Sequence, residues 1–234
     1  MKFLITAGCT GEPIDGIRSI TSIPSIELGT YLVQEVLKNN DEVYLVTSEL
    51  ITDESILNNS NFEQFKVDTV ASVLNCLQKL IFNKKIDVVI SCMAISDFVV
   101  EGNLPMDKFN LLNNDGSNFN ELLERNTNKL DSSKDVLLYL KRAPKVINKI
   151  KEWDPNIYLV GFKLLVNATN ERKLQAINKQ FNSANSDLIV YNDWKDISSN
   201  SHVAQILDKN NVIKECFSKK EIAKSLIEII KERI

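Results

Sequence analysis

Lys2 to Ala7 form a short run, apolar after its first lysine, that stops at Gly8-Cys9-Thr10-Gly11. There is no room in it for a helix, and apolar character without alternation marks a strand buried on both faces, as in a parallel sheet. The small residues that follow let the backbone turn sharply and come close to a ligand. A helix resumes near Ser25, read as its N-cap, with Leu28, Leu32, Val33, Val36 and Leu37 at helical spacing. Strand, glycine-containing loop and helix N-terminus together make the anion site of a doubly wound sheet, because first-turn N–H groups lack partners within the helix.

The loop carries no G-x-G-x-x-G and no G-K-[ST], so neither a dinucleotide nor a P-loop fingerprint is present. It is also long, about eighteen residues where two to six are usual, and long ordered loops at this position are commonly functional. Asp15 and Arg18 lie three apart inside it; a local ion pair that fixes the loop is the plainer reading of the two.

The same grammar repeats downstream. Glu42–Thr47 reads as a strand, 67–82 as an amphipathic helix and Ile86–Ser91 as a third strand, while 51–57 carries no clear signal. That β-α-β-α-β order implies parallel strands joined by right-handed crossovers. Ser96-Asp97 follows the third strand at the edge where open α/β sheets bind ligands, or else forms a capped turn. Residues 101–128, rich in Asn, Asp and Gly, read as a mobile surface loop or lid. Val136–Leu140 is a further strand, and Lys141-Arg142-Ala143-Pro144-Lys145 precedes a helix at 146–151; its three cations could hold phosphate, though a solvated turn is the plainer reading. A strand ending at Gly161, a helix over 170–182 and a strand at 187–193 follow. A hairpin (203–207 and 212–216) and a helix (220–231) close the chain. The expected fold is therefore α/β, a Rossmann-like, doubly wound and mostly parallel sheet in a single domain spanning 1–234, with a C-terminal hairpin.

Composition narrows the function classes. The 234 residues are 44% hydrophobic and 25% charged, with a net charge of −3, which gives no electrostatic case for nucleic acid or an anionic membrane. Neither a signal peptide nor an apolar run of membrane-spanning length is legible, so a cytoplasmic protein is expected. Four scattered cysteines and a single histidine, His202, make a structural zinc site a poor reading, and no metal ligands are assigned. Cys9 lies in the glycine loop, but a nucleophilic thiol needs a base, and none is near in sequence.

Five segments then fall in a family's order. Residues 5–18, Ile-Thr-Ala-Gly-Cys-Thr-Gly-Glu-Pro-Ile-Asp-Gly-Ile-Arg, resemble the opening "ITAGGT-x-EPID-x-VR" of phosphopantothenate–cysteine ligases (phosphopantothenoylcysteine synthetases). Residues 93–98 resemble the "AVSDY" turn, 140–145 "LKKTPK", 161–163 "GFK", and 187–193 "DLIVAND". The resemblance covers the whole chain and is nearest the short monofunctional bacterial form. It implies a homodimer and a two-step reaction. The carboxylate of 4′-phosphopantothenate attacks the α-phosphate of CTP, with Mg²⁺, to give an acyl-cytidylate and pyrophosphate. The amine of cysteine then displaces CMP. Fixed donors and cations around the α-phosphate are the chemistry such a step needs. By resemblance, Gly8, Cys9 and Thr10 supply backbone donors, and Ala94, Ser96, Asp97, Phe162, Lys163, Asn192 and Asp193 line the nucleotide pocket. Arg18 matches an arginine at the acyl intermediate.

The chain also departs from the pattern. Ser22 stands where the family has the asparagine that helps turn over the acyl-cytidylate, Cys9 replaces a loop glycine, and Ile26 replaces another. A β-branched residue resists the positive φ that glycine permits. Before Asp187 the family's basic cluster is absent, leaving Lys179 as the nearest cation to a triphosphate and a locally reduced positive charge. These departures keep a second reading in play, a ligase-derived nucleotide-binding or regulatory protein without the chemistry. A nicotinamide-dependent reductase is a third, disfavoured by Thr47-Ser48 where an acidic ribose ligand belongs.

Overall fold

The computed structural model describes residues 1–23, 25–112, 118–125, 128–131, 133–198 and 201–234. Pro24, Ser132 and parts of the expected 101–128 loop lie outside the described residues.

The main sheet has eight strands. Its parallel strands are β1 (Lys2–Ala7), β4 (Glu42–Thr47), β5 (Phe62–Lys66), β6 (Val88–Ser91), β9 (Tyr158–Leu165) and β10 (Leu188–Asp193). An antiparallel hairpin, β11 (Ala204–Leu207) and β12 (Val212–Cys216), extends one edge, giving the order β12-β11-β10-β9-β6-β1-β4-β5. Among the parallel strands the order is that of a Rossmann sheet, and strand order reverses between β1 and β6. The expected α/β, mostly parallel, Rossmann-like sheet with its C-terminal hairpin is what the chain forms.

Helices cover both faces. On one lie α1 (Glu27–Lys38) and α8 (Lys219–Arg233), packed on Phe3, Ile5 and Ala7 of β1. On the other lie α3 (Val70–Lys84) and α6 (Val146–Trp153), packed on Leu4. Successive β1 side chains thus serve opposite cores, which is why the strand shows no polar face. A third helix on that side, α7 (Asn170–Ala184), buries Ile177 and Phe181 against Ile189 and Tyr191. Val146 and Ile150, one turn apart, anchor α6, each fully buried side chain of this kind contributing roughly 1.5–3 kcal/mol.

Several local expectations change. Ile26, not Ser25, is the N-cap of α1, and it makes no side-chain cap bond. It sits at φ −84°, so the β-branch meets no left-handed strain. Gly29 carries the close approach instead, since a Cβ there would lie 2.3 Å from the Ala7 Cβ. Within the β1–α1 connection, β2 (Gly11–Pro13) and β3 (Ser19–Thr21) form a small hairpin. The strand β5 went unread because Phe-Glu-Gln-Phe-Lys is short and half polar. The strand through Gly161 does not end there but runs to Leu165.

The expected lid at 101–128 is largely built structure. Its first part is β7 (Phe98–Pro105), which pairs antiparallel with β8 (Val136–Arg142) in a separate two-stranded ribbon, with α4 (Met106–Leu112) and α5 (Phe119–Leu122) between them. The ribbon's Gly102 and Asn103 pack on residues 123–124, and Phe119 meets Tyr139 edge-on at 5.1 Å. Polar composition misled here because a ribbon outside the sheet needs few buried apolar positions.

Candidate active site

The C-terminal ends of β6 and β9 open into a cavity of about 670 Å³. One wall is the loop after β6 with Ser96 and Asp97; another is the first turn of α6, from Pro144 to Asn148. Phe162 and Lys163 of β9 form the floor, and Arg172, Ala176, Lys179, Gln180 and Ser183 of α7 close the far side. Arg172, Ala176, Lys179 and Ser183 recur at spacings of three and four with Gln180 beside Lys179, so one face of α7 turns to the cavity while Ile177, Phe181 and Ala184 face the core.

Four cations, Lys145, Lys163, Arg172 and Lys179, meet one carboxylate, Asp97, which pairs with Lys145. The Lys163 ammonium is pushed below the usual lysine range, chiefly by burial and then by Lys145, Lys179 and Arg172, with Asp97 opposing. In a chain of net charge −3, this concentration of positive charge suits a polyanion. Lys145 is the N-cap of α6 and makes no side-chain cap bond, so the helix presents an open N-terminus to the same space.

Sequence reasoning found part of this. Ser96, Asp97, Phe162, Lys163 and Lys179 come together as expected. Lys145 and Arg172 add positive charge beside Lys179. Lys145, exposed as a solvated turn would have it, also lines the cavity, and Arg172 was missed although it lies two helical turns before Lys179.

Other expected residues sit elsewhere. Gly8, at φ +82°, makes the turn out of β1, and a Cβ there would strike Ser48 Oγ at 2.2 Å. The Cys9 N–H donates to Ser48 Oγ (3.1 Å) and the Thr10 N–H to the Ala94 carbonyl (3.1 Å), so these two donors are spent inside the protein. The Ala94 N–H returns a bond to the Gly8 carbonyl (2.9 Å), and Ser96 N–H donates to Thr10 Oγ1 (2.9 Å). The glycine loop thus braces the Ser96-Asp97 loop, with the Cys9 and Thr10 N–H groups engaged inside the protein. Cys9 Sγ lies 3.1 Å from the Thr21 hydroxyl, in contact with no base. Cys92 is half-buried, its thiol donates to the Thr6 carbonyl (2.8 Å), and desolvation pushes its pKa up to about 12.

Arg18 does not line the cavity either. Its guanidinium holds Asp15 Oδ2 through Nε (2.9 Å) and Nη2 (2.6 Å), and Nη2 also donates to the Leu130 carbonyl (3.0 Å). Asp15 further accepts the N–H groups of Ile17, Arg18 and Leu130. The Leu130 N–H, then Arg18 and Ile17, hold this carboxyl well below the usual range. The plainer reading of the Asp15–Arg18 pair is therefore the structural fact, and it ties the β2–β3 hairpin to residue 130. Ser22 and Ile23 are exposed just beyond that hairpin.

Asn192 and Asp193 end β10 outside the cavity. Asp193 accepts N–H bonds from Asn167 and Ala168 (2.9 Å each) and fixes the turn into α7. The Asn192 amide nitrogen lies 2.9 Å from His202 Nε2. Burial, with Lys219, lowers the His202 pKa.

Sheet topology defines the class, an α/β protein of doubly wound type with a cationic cavity at the strands' carboxyl ends. The chain belongs to the family of DNA/pantothenate metabolism flavoprotein C-terminal domains, whose model matches residues 1–110 and 119–234. It is a domain of the phosphopantothenoylcysteine synthetase type. It is 29% identical over 234 residues to the coenzyme A biosynthesis bifunctional protein CoaBC of Thermococcus kodakarensis, covering 100% of this chain and 51% of that protein. The chain thus spans about half the length of the curated relatives it matches. The crystal structure of the DNA/pantothenate metabolism flavoprotein from Streptococcus pneumoniae superposes with a TM-score of 0.87 at 31% identity, covering 100% of both chains. A Cab2 mutant in complex with phosphopantothenate-cysteine shares the fold, with a TM-score of 0.69 at 15% identity over 99% of this chain and 85% of that one. Among the described residues no helix is long and apolar enough to cross a membrane.

Proposed function

We propose that the chain joins 4′-phosphopantothenate to cysteine in coenzyme A biosynthesis, with CTP as the activating nucleotide and Mg²⁺ carried on its triphosphate. The observation that carries this reading is the cavity with four cations and an open helix N-terminus at the carboxyl edge of β6 and β9. Membership in the family and a shared fold with a protein solved with phosphopantothenate-cysteine support the choice of reaction.

In this reading Lys163, Arg172 and Lys179 hold the β- and γ-phosphates, and the first turn of α6 donates N–H groups to the same oxygens. Cations fixed in a partly dry cavity stabilise charge that grows on the leaving pyrophosphate without having to reorganise. Mg²⁺ supplies further charge neutralisation between phosphates when bound. Held in line, the pantothenate carboxylate attacks the α-phosphorus, pyrophosphate leaves, and the acyl-cytidylate then yields the amide and CMP. Asp193 holds the turn that aims α7, and Arg18 holds the hairpin carrying Ser22.

We also assign a homodimer. Phe98, Val136, Leu137, Tyr139 and Leu140 of the ribbon and Ile17, Ile20 and Ile23 near the neighbouring hairpin are exposed, and grouped exposed apolar side chains mark interaction surfaces. Free thiols at Cys9, Cys76, Cys92 and Cys216 suit the reducing cytoplasm. Incubation with phosphopantothenate, CTP, Mg²⁺ and cysteine tests the reaction, with pyrophosphate and the amide expected in equal amounts. Nucleotide binding with neither product would favour the ligase-derived binding protein, a reading to which exposed Ser22 and the engaged Arg18 lend weight.

A further inference from the structure

Asp97 and Lys145 face each other across the cavity, from the loop after β6 and from the N-cap of α6. The Asp97 backbone is fixed, since its carbonyl accepts the Ala143 N–H (2.9 Å) and the preceding Ser96 is bonded to Thr10 and Phe98. Its carboxylate is not fixed. The two side chains are 61% and 62% exposed, and an exposed pair of this kind contributes little to stability. A pair so weakly held, in a cavity whose other charged lining residues among those described are the cations Lys163, Arg172 and Lys179, is suited to exchange.

We propose that the Asp97–Lys145 pair changes partners when a nucleoside triphosphate and its divalent cation enter. Lys145 passes to the phosphates, and the freed Asp97 carboxylate becomes the protein's ligand to the cation. The inference rests on the nucleotide reading above and adds a metal ligand to it.

The donor set fits. Mg²⁺ takes hard oxygen ligands, keeps several waters and is commonly held by one or two carboxylates plus substrate phosphates. Among the described residues no three His, Cys, Asp or Glu side chains gather into a metal site, so a cation here needs ligands that the substrate brings. Among the described residues Asp97 is the one carboxylate lining the cavity. Its pairing also has a use in the empty site. Without Asp97, Lys145 would stand unshielded beside Lys163, Lys179 and Arg172, whose mutual repulsion is visible in the depressed Lys163 pKa.

Calorimetric titration of CTP, with and without Mg²⁺, into the wild type, Asp97→Asn and Lys145→Met tests the exchange without turnover. The ratio of affinities for Mg²⁺-bound over metal-free CTP should fall at least about tenfold in Asp97→Asn, the loss expected for one charged contact. Metal-free CTP should bind that variant more tightly, because Lys145 is released. Lys145→Met should weaken both forms. Titration of Mn²⁺-CTP followed by electron paramagnetic resonance should show a change in the metal environment in the wild type that Asp97→Asn lacks. An unchanged ratio and unchanged Mn²⁺ signal in Asp97→Asn would overturn the exchange while leaving the nucleotide reading intact. Failure of the folded wild type to bind either form would overturn that reading and this inference with it. Both side chains are exposed, so the variants should fold, and unshifted melting temperatures will verify it.

Discussion

Lys163→Met separates binding from stability at one residue. Folding lowers the Lys163 pKa through burial and three neighbouring cations, so the charged form is unfavourable in the folded protein. A basic group with a lowered folded pKa costs stability wherever it is protonated. That cost is relieved as pH rises through the folded pKa toward the unfolded value near ~10.4. Methionine keeps the unbranched stem and removes the charge, so the ligand-free variant should melt no lower than the wild type at neutral pH. Its stability should also rise less steeply with pH in the alkaline range. Binding should move the other way. A hydrogen bond to a charged group is worth about 1.5–3 kcal/mol, or one to two decades in Kd. CTP at about one hundred times the wild-type Kd adds roughly 2.7 kcal/mol, which for a chain of this size raises Tm by about 5–11 °C. After a ten- to hundredfold loss, the same CTP concentration adds only about 0.4–1.4 kcal/mol, or roughly 1–6 °C. Differential scanning fluorimetry with and without Mg²⁺-CTP reads both effects. A variant that melts several degrees lower yet keeps the full CTP shift would refute the reasoning and make Lys163 a structural residue.

Gly29→Ala drives a Cβ to 2.3 Å from the Ala7 Cβ, so α1 must lift from β1. The overpacking should cost about 1–3 kcal/mol despite alanine's better helix propensity, and a raised Tm would refute the close-packing argument. Asp15 has a lowered folded pKa, so its stabilising contribution is present above the unfolded value near ~3.9 and is lost as pH falls below it. Urea midpoints between pH 5 and 3 should therefore drop less in Asp15→Asn than in the wild type, and equal slopes would contradict the assignment. Ser22→Asn should speed amide formation relative to acyl-cytidylate formation, by at most about two to three decades, the value of one transition-state donor. Matched rates of the two steps in the wild type would mean that Ser22 does not limit the reaction.

The sheet was legible because buried parallel strands leave an unmistakable trace. Phe3–Ala7, Val88–Ser91 and Leu188–Val190 are short, apolar and bounded by polar or small residues. The ribbon was only half legible: Val136–Leu140 read as the strand that β8 is, but β7 did not, since the two pair only with each other and bury few side chains. Within the site, residues carried by strand ends (Ser96, Asp97, Lys163) were found, because topology places strand ends together. Gly8, Cys9 and Thr10 were read as ligand donors, and nothing in the sequence says that Ala94 and Ser48 take up two of those N–H groups. Arg172 and Lys145 come from different helices and meet only in three dimensions. The turn of α7 between Arg172 and Lys179 did carry a helical face of cations and small residues that could have been read.

The central claim is that this cavity holds CTP while a carboxylate attacks its α-phosphorus. Single-turnover reaction with CTP labelled at the α-phosphorus, in the presence of phosphopantothenate and Mg²⁺ but no cysteine, tests it most directly. The label should pass from CTP into a species that cysteine chases to CMP, with one pyrophosphate released per label moved. Label recovered in CDP, or retained wholly in CTP by folded protein that binds the nucleotide, would contradict the account.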